Sequence, residues 1–173
     1  MSDAHLLSYA IALRKNKKHD QSRMRLFSLL KTSKDKGPLY LHIAWSYDNQ
    51  GREEQALKYY HQALGETLGA EDEFEAIFGL ACTARCLGRQ AEAKGYFESL
   101  LQRYPARSEV VPFYALCAME LQETSLANRL LMELVISHPP TEAIVAYQST
   151  LANYWQELHV ATKQSEANNS SQP

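Results

Sequence analysis

Cys82 and Cys86 lie one helical turn apart with Arg85 between them, a spacing at which two thiols could share a metal ion. A structural zinc site takes four ligands and usually two such pairs. No second pair exists, and the remaining cysteine, Cys117, stands apart. Free thiols that serve as small apolar residues are therefore the expectation. The six histidines are scattered; His42 near Trp45 and His61 beside Tyr60 read as packing or surface residues. The chain holds no G-x-x-x-x-G-K-[ST], G-x-G-x-x-G, G-x-S-x-G or H-E-x-x-H. These residues lead to no catalytic group, no metal site and no cofactor, and the chain is not expected to be an enzyme.

The elements that carry these side chains follow from a repeat. Tyr40, Ile43, Ala44, Tyr47, Gly51, Ala56, Tyr60 and Ala63 recur 37 residues later as Ile77, Leu80, Ala81, Ala84, Gly88, Ala93, Phe97 and Leu100. A further 34 residues on, the slots hold Val111, Tyr114, Ala115, Ala118, Gln122, Ala127, Leu131 and Leu134. Thirty-four residues before Tyr40 they hold Leu6, Tyr9, Ala10, Leu13, Lys17, Ser22, Leu26 and Leu29. Steps of 3, 1 and 3 place the first four residues of each set on one helical face. Gly51 and Gly88 can end those helices because glycine accepts the left-handed conformation. Lys17 and Gln122 depart from that rule. Pro105 and Pro139, 34 apart, stop later helices. The spacing thus predicts helix hairpins over about residues 3–31, 38–64, 73–103 and 108–137. Thr141 can cap a closing helix over 141–160, with Ile144, Tyr147, Leu151, Trp155 and Leu158 as its apolar stripe. The expectation is nine helices and no sheet, with 3–160 as one domain and 162–173 as a disordered tail.

The order large, Leu-small, Tyr, then Ala-x-x-x-Phe and a closing Pro resembles the tetratricopeptide repeat. "AIALRKNKKHDQS", "HIAWSYDNQGREEQALKYYHQAL" and "GETLGAEDE" are similar to segments of a bacterial family of small stand-alone tetratricopeptide proteins. The resemblance covers about residues 3–160. It implies an all-α fold, a tetratricopeptide-type α-solenoid of four hairpins plus a C-terminal capping helix. It also implies a protein-binding scaffold whose first helices line a concave face.

Shifting each core set by one position gives the strip for that face: Leu7, Ile11 and Arg14; Leu41, Trp45 and Asp48; Phe78, Cys82 and Arg85; Pro112, Leu116 and Met119. Most of these residues are apolar, which suits a groove for an apolar peptide, an amphipathic helix or a second copy of the chain. The same strip becomes partly core if neighbouring first helices close tightly on each other. Trp45 is the expected anchor. Known carboxylate clamps of the family use Lys and Asn on the first helix, where this chain has Leu7 and Ile11, so that mode is not implied.

Charge is uneven. Residues 1–36 carry nine Lys/Arg against three Asp, a net of +6, and the rest of the chain nets −8. The basic end is a solvated surface or a dock for an acidic partner; RNA is a remote alternative, since most aromatics fill core slots. No apolar run approaches the roughly 20 residues of a membrane span. Leu6 to Leu13 has its charges after it, the reverse of a secretion signal. Three cysteines in no framework spacing suit a reducing compartment, so the expectation is a cytoplasmic protein.

Overall fold

The computed structural model describes residues 3–169, with side chains described to residue 158. The helices are α1 (Asp3–Lys15), α2 (His19–Leu29), α3 (Gly37–Asp48), α4 (Glu53–Leu64), α5 (Ala70–Cys86), α6 (Gln90–Arg103), α7 (Val110–Glu120), α8 (Thr124–Ser137), α9 (Glu142–Val145) and α10 (Gln148–Asn169). No strand occurs among the described residues. Helices α1 to α8 pair into four successive hairpins, and the second helix of each hairpin packs on the first helix of the next. Successive first helices also touch: α1 with α3, α3 with α5, α5 with α7. No contact of that extent joins the successive second helices α2, α4, α6 and α8. The array therefore curves, with the first helices on its shorter, inner side.

The small slots explain this closeness. Ala10, Ala44, Ala81 and Ala115 are at most 1% exposed, and a methyl group there lets a neighbouring backbone come near. In the second helices, Ala56, Ala93 and Ala127 are fully buried, as is Ser22 in the same slot of α2. The Ser22 hydroxyl is satisfied by donating to the Ala10 carbonyl at 2.7 Å.

The turn slots are uniform. Lys17, Gly51, Gly88 and Gln122 have φ of 61°, 65°, 75° and 63°. In each turn the next residue's N–H reaches back to the carbonyl five residues earlier: Lys18 to Leu13, Arg52 to Tyr47, Arg89 to Ala84, Glu123 to Ala118. The end hairpins thus keep the left-handed turn without glycine, at a steric cost of about 1–2 kcal/mol per residue. Lys17→Gly and Gln122→Gly should each stabilise the chain by about 0.5–1 kcal/mol, because glycine's greater unfolded-state freedom offsets part of the relief. A rise in the urea midpoint at both sites is the expected reading; an unchanged midpoint would show that the turns carry no strain.

Two elements differ from the sequence expectation. α5 begins at Ala70, earlier than residue 73. The closing segment is split: Thr141 caps the short α9 by accepting from the Ile144 N–H, and α10 starts again at Gln148. The described helices therefore number ten. α10 continues to Asn169, into the segment that composition assigns to a tail; residues 170–173 of that tail lie outside the described residues. α10 rests on α8, and Gln148 Nε2 donates to the Ile136 carbonyl at 2.5 Å. Leu151 and Trp155 are half-buried there, while Tyr147 and Leu158 are exposed.

Candidate partner-binding groove

The strip residues spread along the inner face with different degrees of access. Leu7, Ile11 and Arg14 on α1 are half-buried, as are Trp45 and Asp48 on α3 and Phe78, Cys82 and Arg85 on α5. Pro112, Leu116 and Met119 on α7 are exposed. Leu41, at 1% exposure, belongs to the core, where α3 closes on its neighbours and leaves a partner no access to it. Leu7 lines a separate cavity of about 210 Å³ with Leu29, Pro38 and Leu39 at the other end of α1.

Trp45 is the centre of the open part. The Arg14 guanidinium lies 5.1 Å from its ring centroid, and His42 meets it edge-on at 5.0 Å. Burial lowers the pKa of Arg14, and its Nε has no hydrogen-bond partner. Arg14 and Trp45 line a cavity of about 400 Å³ with Asn49, Glu71, Asp72 and Glu75. One wall is thus cationic and aromatic, and the other carries three carboxylates. Burial first, then neighbouring Glu71, raises the pKa of Glu75, although Arg107 opposes the shift.

The other strip residues have internal duties. Asp48 Oδ2 accepts from the Tyr60 hydroxyl at 2.7 Å, so this carboxylate is tied to a buried side chain of α4. Burial pushes the Asp48 carboxyl up, against that hydrogen bond. Arg85 pairs with Glu120 at 2.5 Å across α5 and α7. Burial pushes the Cys82 thiol up to about 12, which removes it as a nucleophile near neutral pH. Cys117 is buried and donates to the Gln90 carbonyl at 3.3 Å; Cys86 is exposed. Among the described residues no group of three His, Cys, Asp or Glu is arranged to hold a metal ion.

The acidic wall and two further residues, Asn49 and Phe113, fall outside the sequence-derived strip. Phe113 is 40% exposed and sets its ring 5.2 Å from that of Phe78. The signal for the acidic wall was present in the repeat. The interval of 37 residues instead of 34 leaves room for most of an extra turn at the start of α5. Running Phe78, Cys82 and Arg85 backwards at helical spacing reaches Glu75 and Glu71.

His42 gives the site a pH signature. Burial first, then Arg14 and Lys15, lowers its pKa to about 4. An unfolded histidine titrates near about 6.5, so the folded chain binds fewer protons between these values. Stability is therefore full above about pH 6.5 and falls as the pH drops towards 4. The full shift corresponds to about 3 kcal/mol, and protonation of Asp48, whose pKa is raised, returns part of it at the acid end. About 2 kcal/mol should be lost between roughly pH 7 and pH 4.5. His42→Gln should lose distinctly less in parallel urea titrations. Equal losses in both proteins would contradict burial of a neutral His42.

The comparisons agree with this architecture. The family model described as "Tetratrico peptide repeat" matches residues 39–158. No curated protein matches the sequence. Among solved structures, the chain is similar to YrrB, described as a TPR protein with an unusual peptide-binding site. That match has TM-score 0.67 at 13% identity and covers 86% of this chain and 75% of that one. A tetratricopeptide repeat protein from Parabacteroides merdae ATCC 43184 matches with TM-score 0.70 at 16% identity, covering 90% of this chain and 62% of that protein's length. Pseudomonas aeruginosa pilF matches with TM-score 0.70 at 17% identity, covering 94% and 72%. At such identities the likeness concerns the fold alone. No helix among the described residues is long and apolar enough to cross a membrane. Four hairpins with alanine in the small slot of every first helix, one left-handed turn in each, and a family match over most of the chain lead to one conclusion: the chain belongs to the tetratricopeptide repeat family.

Proposed function

We propose that this protein is a cytoplasmic scaffold that holds a peptide or protein partner in the groove along its first helices. The observation that carries this reading is the cavity at Trp45, flanked by Arg14 on one side and by Glu71, Asp72 and Glu75 on the other. Half-buried Ile11 and Phe78 and exposed Leu116 and Met119 extend apolar surface along the same face. Such a surface gains by covering apolar area. Arg107 already pairs with Glu71 at 2.6 Å and lies 4.0 Å from Glu75, so the cavity's remaining carboxylate, Asp72, is the one that gains from a cation placed beside it. The partner segment is accordingly apolar or aromatic with a neighbouring Lys or Arg.

Selection of peptides from a random library against the immobilised chain tests this. The expected winners combine an aromatic or aliphatic residue with Lys or Arg and lose binding to Trp45→Ala and to Glu71→Lys/Glu75→Lys. Winners that are indifferent to all three changes would contradict the groove.

The exposed rings at the C-terminal end favour a second reading, self-association through the cap. Tyr147 and Tyr154 are 66% and 64% exposed on a segment that rests on α8. Sedimentation across a concentration series, with Tyr147→Ser/Tyr154→Ser as control, tests it. A dimer lost in that variant supports the second reading, and a monomer at all concentrations removes it.

A further inference from the structure

The outer side of the first two hairpins holds a second cavity, of about 590 Å³, lined by Arg23, Met24, Phe27, Lys31, Tyr47 and Arg52 among others. It lies where successive second helices stand apart. Its floor is Tyr47, with the Arg23 guanidinium 4.2 Å from the ring centroid and that of Arg52 at 4.8 Å. Arg23 is fixed. Its Nη1 donates to the Ser46 carbonyl at 3.2 Å and the Ser46 hydroxyl at 3.0 Å, and its Nη2 pairs with Asp20. Lys31 and Arg52 are exposed and have no ion-pair partner among the described residues.

Among the described residues, the other Lys and Arg of the first 36 residues, Arg23 apart, share that lack. Beyond residue 36, Arg85, Arg89, Arg103, Arg107 and Arg129 each pair with a glutamate, and Arg52 alone of the arginines does not. Three cations against Asp20 leave the recess positive; Arg23 and Lys31 come from the part of the chain that nets +6, and Arg52 from the turn after α3. Its rim is apolar, with Met24 at 68% exposure beside half-buried Phe27.

We propose that this recess is an anion-binding dock, separate from the groove, for an acidic segment of a protein partner in which Asp or Glu stands next to an apolar residue. The carboxylate lies between Arg52 and Lys31, where a fork of guanidinium N–H groups meets it bidentately. The neighbouring apolar side chain covers Met24 and Phe27. A nucleic acid fits less well. Tyr59 stacks on the Tyr47 ring at 5.4 Å and two arginines lie over it, so a base finds no open face. The acidic remainder of the chain would also repel a long polyanion.

The probes are a fluorescent peptide alternating Glu and Leu, its Gln-for-Glu counterpart, and a fluorescent single-stranded oligothymidylate, titrated with the full chain and followed by anisotropy. The acidic peptide should bind, and its affinity should fall steeply as salt is raised. The Gln peptide should bind at least about tenfold more weakly. Lys31→Ala/Arg52→Ala removes two exposed side chains, keeps the helical circular dichroism, and should weaken the acidic peptide by about tenfold or more. Arg52→Lys should restore only part. Trp45→Ala should leave this binding unchanged, so the recess and the groove stand or fall separately. Equal binding of the acidic peptide by wild type and Lys31→Ala/Arg52→Ala would overturn the proposal, as would a preference for the oligothymidylate. A salt-sensitive dimer of the chain alone, lost in the double variant, would assign the recess to a second copy and overturn it too.

Discussion

Gly79→Ala should destabilise the chain by about 2 kcal/mol, and Gly95→Ala should stabilise it by about 1 kcal/mol, although both replace a helical glycine by the best helix former. A Cβ on Gly79 would overlap the ring and hydroxyl atoms of Tyr60. Tyr60 is 1% exposed and tied by its hydroxyl to Asp48, so the ring cannot swing away without breaking that hydrogen bond and disturbing the packing around it. Nothing lies within 4 Å of a Cβ at Gly95, on the exposed side of α6. There the helix-propensity gain is uncompensated. Paired urea melts should show midpoints moving in opposite directions. A midpoint for Gly79→Ala at or above wild type would show that α4 and α5 do not close over Tyr60 as described.

Trp45→Ala should cost on the order of 2 kcal/mol of partner binding, roughly thirtyfold in Kd, if Trp45 is the centre of the groove. It should also cost about 1 kcal/mol of stability, because the ring packs on the main core cluster as well as on Arg14 and His42. Sequence position alone suggests a near-neutral change in stability, since Trp45 lies beside the core positions Ile43, Ala44 and Tyr47. Trp45→Phe separates the two effects: it keeps most of the packing and an aromatic face for Arg14, and should recover stability more fully than affinity. The measurement is calorimetric titration of a selected peptide into each variant at a temperature where all are folded. Full affinity in Trp45→Ala would remove Trp45 from the site.

The hairpins were legible because each slot has its own chemistry. Alanine marks close approach, and glycine marks the left-handed turn. Even Lys17 and Gln122 were placed by the interval between slots, although their residue types argue against that turn. The groove was legible only in part. A strip one position from the core is rotated by about 100° on a helix, and whether it opens depends on how closely the neighbouring helix lies. Leu41 is closed off by that neighbour, while Leu116 is open because α10 leans on α8 and not on α7. Asp48 reads as a groove charge until Tyr60 reaches it from another helix, a contact no local pattern carries. The outer recess draws Arg23, Tyr47 and Arg52 from two helices and a turn, and only the fold brings them together.

Site-specific photo-cross-linking in cells tests the central claim most directly. A photoreactive residue is placed at Asn49, which lines the inner cavity, and in a second protein at Ala91, exposed on α6 away from both cavities. The groove account predicts a discrete adduct from position 49 that disappears when Trp45→Ala is added, and none from position 91. Adducts of equal yield from both positions, or an adduct at position 49 that survives Trp45→Ala unchanged, would contradict it.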